Sequence, residues 1–184
     1  MRVASGLCKG RKLAAPRGLA TRPVSDMVKE AVFSMIAERV AGALVLDAFA
    51  GTGAFGIEAL SRGAKSAVFI EKSREASFFL EKNLENTGLT AQARLFTSEL
   101  PRFLERNDFE PFDVIFADPP YNSGLLLPFL EIIAEKRLLS GIMVVKREKM
   151  PEPPLHVSLG FHLIKTKRYR ATEIDLLTAK NPPK

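Results

Sequence analysis

Three separate apolar runs in this chain stop at an acid, and the segments between them carry a helical period. Ala43 to Asp47, Ser66 to Glu71, and Phe112 to Ala117 with Asp118 following, are apolar apart from Ser66, Asp113 and the terminal acids. A strand that is apolar on both faces must be covered on both faces, which is the signature of a parallel sheet sandwiched by helices. Further strands are predicted over Ala91 to Phe96 and Ile142 to Lys146, with helices over Phe55 to Ser61, Ser73 to Thr87, Ser98 to Arg106 and Gly124 to Arg137. Gly88 stops the second of these helices. Ser25 is read as the cap of an earlier helix that carries Val28, Ala31, Val32, Met35 and Ile36 on one side. After the connector Met150-Pro151-Glu152-Pro153-Pro154, the alternating runs Phe161 to Arg168 and Thr172 to Thr178 read as a hairpin closing the sheet edge. The fold class is α/β, Rossmann-like and mostly parallel.

Composition removes several alternatives. The 184 residues suit one domain with a short appendage, and 46% apolar with 26% charged residues is ordinary globular usage. No stretch is long and apolar enough for a membrane span, and the N-terminus lacks the apolar segment of a secretory signal, so a cytoplasmic protein is expected. Cys8 has no partner for a disulfide, and with His156 and His162 it leaves too few soft ligands for a zinc site. The charge is uneven: Arg2, Lys9, Arg11, Lys12, Arg17 and Arg22 face no acid in the first 25 residues and account for the whole net +6. That asymmetry predicts a basic arm over residues 1–24 that meets a polyanion, ahead of a domain over residues 25–184. The arm reads as a hairpin or irregular segment around Gly6 and Gly10.

In open α/β sheets, ligands sit beyond the carboxyl ends of the strands, where Asp47, Glu71 and Asp118 all fall. The first of these acids opens Asp47-Ala48-Phe49-Ala50-Gly51-Thr52-Gly53-Ala54-Phe55-Gly56. Its glycines let the backbone turn sharply beside a ligand at a helix N-terminus. Gly51, Gly53 and Gly56 also spell the dinucleotide fingerprint, with Glu71 at the end of the next strand. Asp47 weighs against that reading, because a pyrophosphate gains nothing from a neighbouring carboxylate. S-adenosylmethionine carries an ammonium and a sulfonium and suits a carboxylate there. Glu71 would then accept hydrogen bonds from both ribose hydroxyls.

The second motif is Asp118-Pro119-Pro120-Tyr121. Consecutive prolines fix the chain and leave the carbonyls before them without ladder partners. A carboxylate beside such a carbonyl matches the two hydrogens of an exocyclic amine. That pairing aims the nitrogen lone pair at an electrophilic methyl and favours the positive charge that develops there. Tyr121 is placed to stack on an extruded base.

Together these residues resemble the class I methyltransferases that modify exocyclic amines. More narrowly, the chain resembles the bacterial RsmD family through Gly6-x-x-x-Gly10-Arg11, Thr21-Arg22-Pro23, Lys29-Glu30-Ala31-Val32-Phe33 and Gly56-Ile57-Glu58-Ala59-Leu60-Ser61-Arg62-Gly63-Ala64, over residues 1 to about 178. That family methylates N2 of one guanine in 16S small-subunit ribosomal RNA. The resemblance implies a seven-stranded sheet with an antiparallel terminal hairpin, S-adenosyl-L-methionine as cofactor, and guanine 966 of the RNA as target. It implies that Asp47, Ala48, Phe49, Gly51, Gly53, Glu71 and Ser98 (with Glu99 the alternative contact to adenine) bind cofactor. Asp118, Pro119, Pro120 and Tyr121 would hold the guanine amine, and Arg2, Lys9, Arg11, Lys12 and Arg22 the RNA. The expected form is a monomer without metal, acting on RNA within small-subunit particles. Three positions depart from the family pattern: Thr97-Ser98-Glu99 replaces a Gly-Asp pair, Lys146 stands where glutamate is common, and Arg170 where glycine is common.

Two other functions fit the same motifs. An adenine-N6 DNA methyltransferase would use the same acceptors, although no segment remains for base-specific DNA readout. A catalytically silent RNA-binding assembly factor would keep the fold, and the intact motifs weigh against it.

Overall fold

The computed structural model describes residues 1–16, 26–148, 159–169 and 172–183. Arg17, the Thr21-Arg22-Pro23 segment, Ser25, the proline-rich connector and Arg170 lie outside the described residues. Seven strands form one sheet: β1 Leu44–Ala48, β2 Ser66–Glu71, β3 Ala93–Thr97, β4 Phe112–Ala117, β5 Leu139–Glu148, β6 Phe161–Arg168 and β7 Thr172–Ala179. The helices are α1 Asp26–Met35, α2 Ala54–Ser61, α3 Arg74–Thr87, α4 Arg102–Arg106 and α5 Leu126–Glu135. Strand order is β3-β2-β1-β4-β5-β7-β6, parallel up to β5, with β7 antiparallel to both neighbours. The order reverses between β1 and β4, which opens a crevice at their carboxyl ends.

Alternation along each central strand divides the core into two layers. Val45, Val114, Phe116 and Val144 face a cluster with Val32, Phe33, Phe55, Ile57 and Leu80 of α1 to α3. Leu46, Ala48, Ile115, Ala117, Met143 and Val145 face Leu104, Phe129, Leu130 and Ile133 of α4 and α5. Because both faces are covered, these strands read as unbroken apolar runs.

The expected boundaries hold for β2, β4 and β6 and shift elsewhere for local reasons. β5 runs longer in both directions than Ile142 to Lys146: Leu139 pairs with Phe112 of β4 at one end, and Arg147 is buried against Glu173 at 2.6 Å and Asp175 at 2.5 Å on β7 at the other. α4 begins only after Pro101, leaving Ser98 to Leu100 as loop. α5 ends at Glu135, and Arg137 turns out of the helix in the left-handed region (φ 53°).

The basic segment at the N-terminus folds as a minimal hairpin, with Arg2 bridging Lys12. It is fastened to the sheet's helices. Val3, Cys8 and Leu13 are buried in the core layer of α1 to α3. Glu58 accepts hydrogen bonds from the Ala4 and Ser5 amides at 2.8 and 3.0 Å. Asn83 of α3 accepts from the Ala14 amide (2.7 Å) and donates to the carbonyls of Ala14 and Thr52, each at 3.0 Å. At the hairpin turn, a Cβ on Gly6 (φ 82°) would lie 1.8 Å from the Ser61 carbonyl oxygen, so a side chain has no room there.

Candidate active site

A cleft of about 1080 Å³ lies over the carboxyl ends of β1, β2 and β4, the place where the strand order reverses. On one side it is lined by Asp47, Phe49, Gly51, Thr52, Glu71, Ser98 and Glu99, and on the other by Asp118, Pro119, Pro120, Tyr121 and Lys146. Every strand-end acid singled out in the sequence is therefore in one cavity. Met1, Leu13, Ala15 and Pro16 of the hairpin close part of its wall.

The glycine loop is shaped by the two acids that flank it. Asp47 Oδ2 accepts the Gly56 amide at 2.7 Å, next to the first turn of α2. Glu71 accepts the amides of Gly51 and Ser73, both at 2.7 Å. The loop is thus bonded to β1 and β2 at both ends, and the Ala50 and Gly53 amides donate to the carbonyls of Ile70 and Ala50. Gly53 sits in the left-handed region (φ 85°) as the residue before α2 and does not line the cavity. Ala48 is buried beneath the loop. Phe49 takes the left-handed region (φ 60°), a conformation rare for an aromatic residue, and its ring packs on Phe129 at 5.4 Å.

Burial pushes the Asp47 carboxyl well above its ordinary value. The Gly56 hydrogen bond opposes this, while the charges of Asp118 and Glu71 add to it. A site that holds a carboxylate in this state fits a cationic ligand, whose charge would restore ionisation. Asp118 is also raised by burial, and the ammonium of Lys146 pulls it back. Among the described residues no cluster of His, Cys, Asp and Glu is arranged to hold a metal.

In the acceptor half, Tyr121 is 43% exposed, with the Lys146 ammonium 5.4 Å from its ring centroid, and its hydroxyl lies 2.7 Å from Thr172 Oγ1 at the start of β7. Lys146 was legible only as a charge reversal. The β4–β5 register pairs Ala117 with Val145, so the next residues along, Asp118 and Lys146, fall side by side. The hairpin's Arg2, Lys9, Arg11 and Lys12 are exposed and lie outside the cleft. Cys8 is buried, with its Sγ against the Thr87 carbonyl at 3.3 Å.

A parallel sheet with this strand order, a glycine loop held by strand-end acids, and an Asp-Pro-Pro-Tyr corner across the same cleft define a Rossmann-like methyltransferase. Comparison with known proteins narrows the class. The family described as Conserved hypothetical protein 95 matches over residues 1–178. The Escherichia coli Ribosomal RNA small subunit methyltransferase D is 35% identical over 164 residues, 86% of this chain and 82% of that one. Its Haemophilus influenzae namesake is 32% identical over 169 residues, 91% and 88% of the two chains. Among solved structures, Escherichia coli yhhF is 33% identical with a TM-score of 0.85 over 98% of each chain. The chain belongs to this family, the RsmD methyltransferases. No helix among the described residues is long and apolar enough to cross a membrane.

Proposed function

We propose that this protein methylates the exocyclic N2 of a guanine in small-subunit ribosomal RNA, with guanine 966 the position to which the family resemblance points. The observation that carries this reading is the shared cleft: a glycine loop with two carboxylates faces the Asp118-Pro119-Pro120-Tyr121 corner across one cavity. The relatives' names, ribosomal RNA small subunit methyltransferase D, support the RNA substrate.

S-adenosylmethionine, when bound, supplies a methyl group made electrophilic by its sulfonium. Asp47, the amides of the glycine loop, Glu71 and Ser98 would hold it, with Glu71 keeping lone pairs beyond those given to Gly51 and Ser73 for ribose hydroxyls. The Asp118 carboxylate and a backbone carbonyl that precedes a proline accept the two amine hydrogens and turn the nitrogen lone pair toward the methyl. Tyr121 offers a face for the base. Bound there, the cofactor would give its methyl to the amine nitrogen with the carbon–sulfur electron pair left on sulfur, and the proton the nitrogen then loses would pass to water or to the Asp118 carboxylate beside it. No protein nucleophile takes part, and buried Cys8 is outside the cleft.

The test is incubation with labelled S-adenosylmethionine and unmodified small-subunit RNA, free and in assembled particles, followed by digestion to nucleosides. Label in N2-methylguanosine is expected. Label in N6-methyladenosine overturns the base, and no label on any RNA overturns the activity. D118A is expected to abolish transfer while leaving cofactor affinity within a few-fold, and an equal loss of both removes Asp118 from the assigned role.

A further inference from the structure

Lys146 ends the apolar stretch of β5 and reaches across to β4. Its Nζ donates to both carboxylate oxygens of Asp118, each at 2.7 Å. The same Nζ lies 5.4 Å from the Tyr121 ring centroid. The lysine side chain is 14% exposed and the aspartate 23%, so the pair is largely shielded from water. An ammonium shared between both oxygens fixes the plane of a carboxylate. It occupies one lone pair on each oxygen and leaves the others for a further donor.

We propose that Lys146 is a positioning residue for methyl transfer: acting through Asp118, it sets the plane of the carboxylate that receives the amine and supplies its counter-charge. This rests on the function proposed above. The pair also ties β4 to β5, so a purely structural role must be separable by experiment. The charged and titratable groups that line the cleft with Asp118 and Lys146 are Asp47 on β1, Glu71 at the end of β2, Lys72 after it, Glu99 after β3, Tyr121 in the Asp118 loop, Glu148 on β5 and the Met1 end of the hairpin. Asp47, Glu71, Glu99 and Glu148 are acids. Lys146 therefore offsets the burial of Asp118 within a cleft that these acids also line. A protonated Asp118 would present a donor where the amine needs an acceptor.

The test uses K146M, which removes the charge, and K146R, which keeps it. The Asp118 carboxylate is followed by carbon-13 NMR titration without any substrate, assigned with D118N, and the pH profile of single-turnover transfer is measured beside it. In K146M the Asp118 titration moves to higher pH and the acid limb of transfer moves with it. Transfer at pH 6 falls by about tenfold or more and recovers as pH rises. K146R keeps the wild-type limb, and S-adenosylmethionine affinity changes by less than about threefold in both. An unchanged Asp118 titration in K146M, or a rate lowered equally at every pH, overturns the proposal. A wild-type protein that methylates no RNA overturns the function instead, because the titration is read without RNA.

Discussion

Lys29 Nζ and Glu58 Oε2 lie 2.9 Å apart, and neither side chain reaches solvent. Glu58 also accepts from Arg62 Nε at 2.8 Å and from the Ala4 and Ser5 amides, and Lys29 donates to the Arg2 carbonyl. One ion pair thereby joins α1, α2 and the N-terminal hairpin. Removing a single partner strands a buried charge. K29M is expected to destabilise the fold by about 3 to 5 kcal/mol, while K29M/E58L recovers part of that loss. Urea denaturation of the two variants checks this, and equal stability of K29M and wild type would refute it.

Asp47 makes stability depend on pH. In the unfolded chain it ionises near the ordinary value of 3.8, whereas in the folded protein burial holds its proton to higher pH. Between those two values the folded state binds the extra proton, so this group's contribution declines as pH rises across the window and levels off above it. D47N keeps an acceptor for the Gly56 amide and removes the titration. Its melting temperature is expected to gain on wild type as pH rises from 4 to 8, with cofactor binding lost. Parallel melting curves at all pH values would contradict this.

Glu71 is expected to serve both loop and ligand. E71A should weaken S-adenosylmethionine binding by about 1.5 to 3 kcal/mol, the range for a charged hydrogen-bonding partner. It should also lower the melting temperature, because the Gly51 and Ser73 amides lose their acceptor. Calorimetry of E71A and E71Q separates the two effects: E71Q retains one acceptor oxygen and loses less in each.

The exposed Lys9, Arg11 and Lys12 are expected to meet RNA phosphates. Their replacement by alanine should flatten the dependence of log K on log salt by roughly 0.7 to 0.9 for each phosphate left without its cation, with the melting temperature unchanged. Side-chain replacement is the appropriate test because Val3 and Leu13 belong to the core and the segment cannot be removed cleanly. An unchanged salt slope would take the hairpin out of RNA binding.

The sheet was legible because its central strands are buried on both faces, so Ser66 to Glu71 and Phe112 to Ala117 could be read to the residue. The cleft followed from strand-end acids and the carboxyl-end rule. Less legible was what depends on charge being buried. Arg147 lies beyond the strand expected to stop at Lys146, yet Glu173 and Asp175 keep it inside the sheet. Nothing in the local sequence marks Lys29 and Glu58 as a buried pair, because each is buried by the other. Nor does composition reveal that a basic segment carries Val3 and Leu13 inward while Arg2 and Lys12 face water. That division depends on partners far away in sequence, such as Glu58 and Asn83.

A Cβ at Gly56 would lie 2.2 Å from the Phe69 ring and 3.1 Å from Asp47 Oδ2. The third glycine of the loop is therefore demanded by the protein's own interior, whatever occupies the cleft. Gly56 and Phe69 fix how the loop packs, while Asp47 and Glu71 both hold its amides and carry the charge that meets a ligand. The glycine spacing is thus a packing requirement of this interior, met before any ligand arrives, and the strand-end acids are where the loop's own bonding and the ligand's charge are settled together.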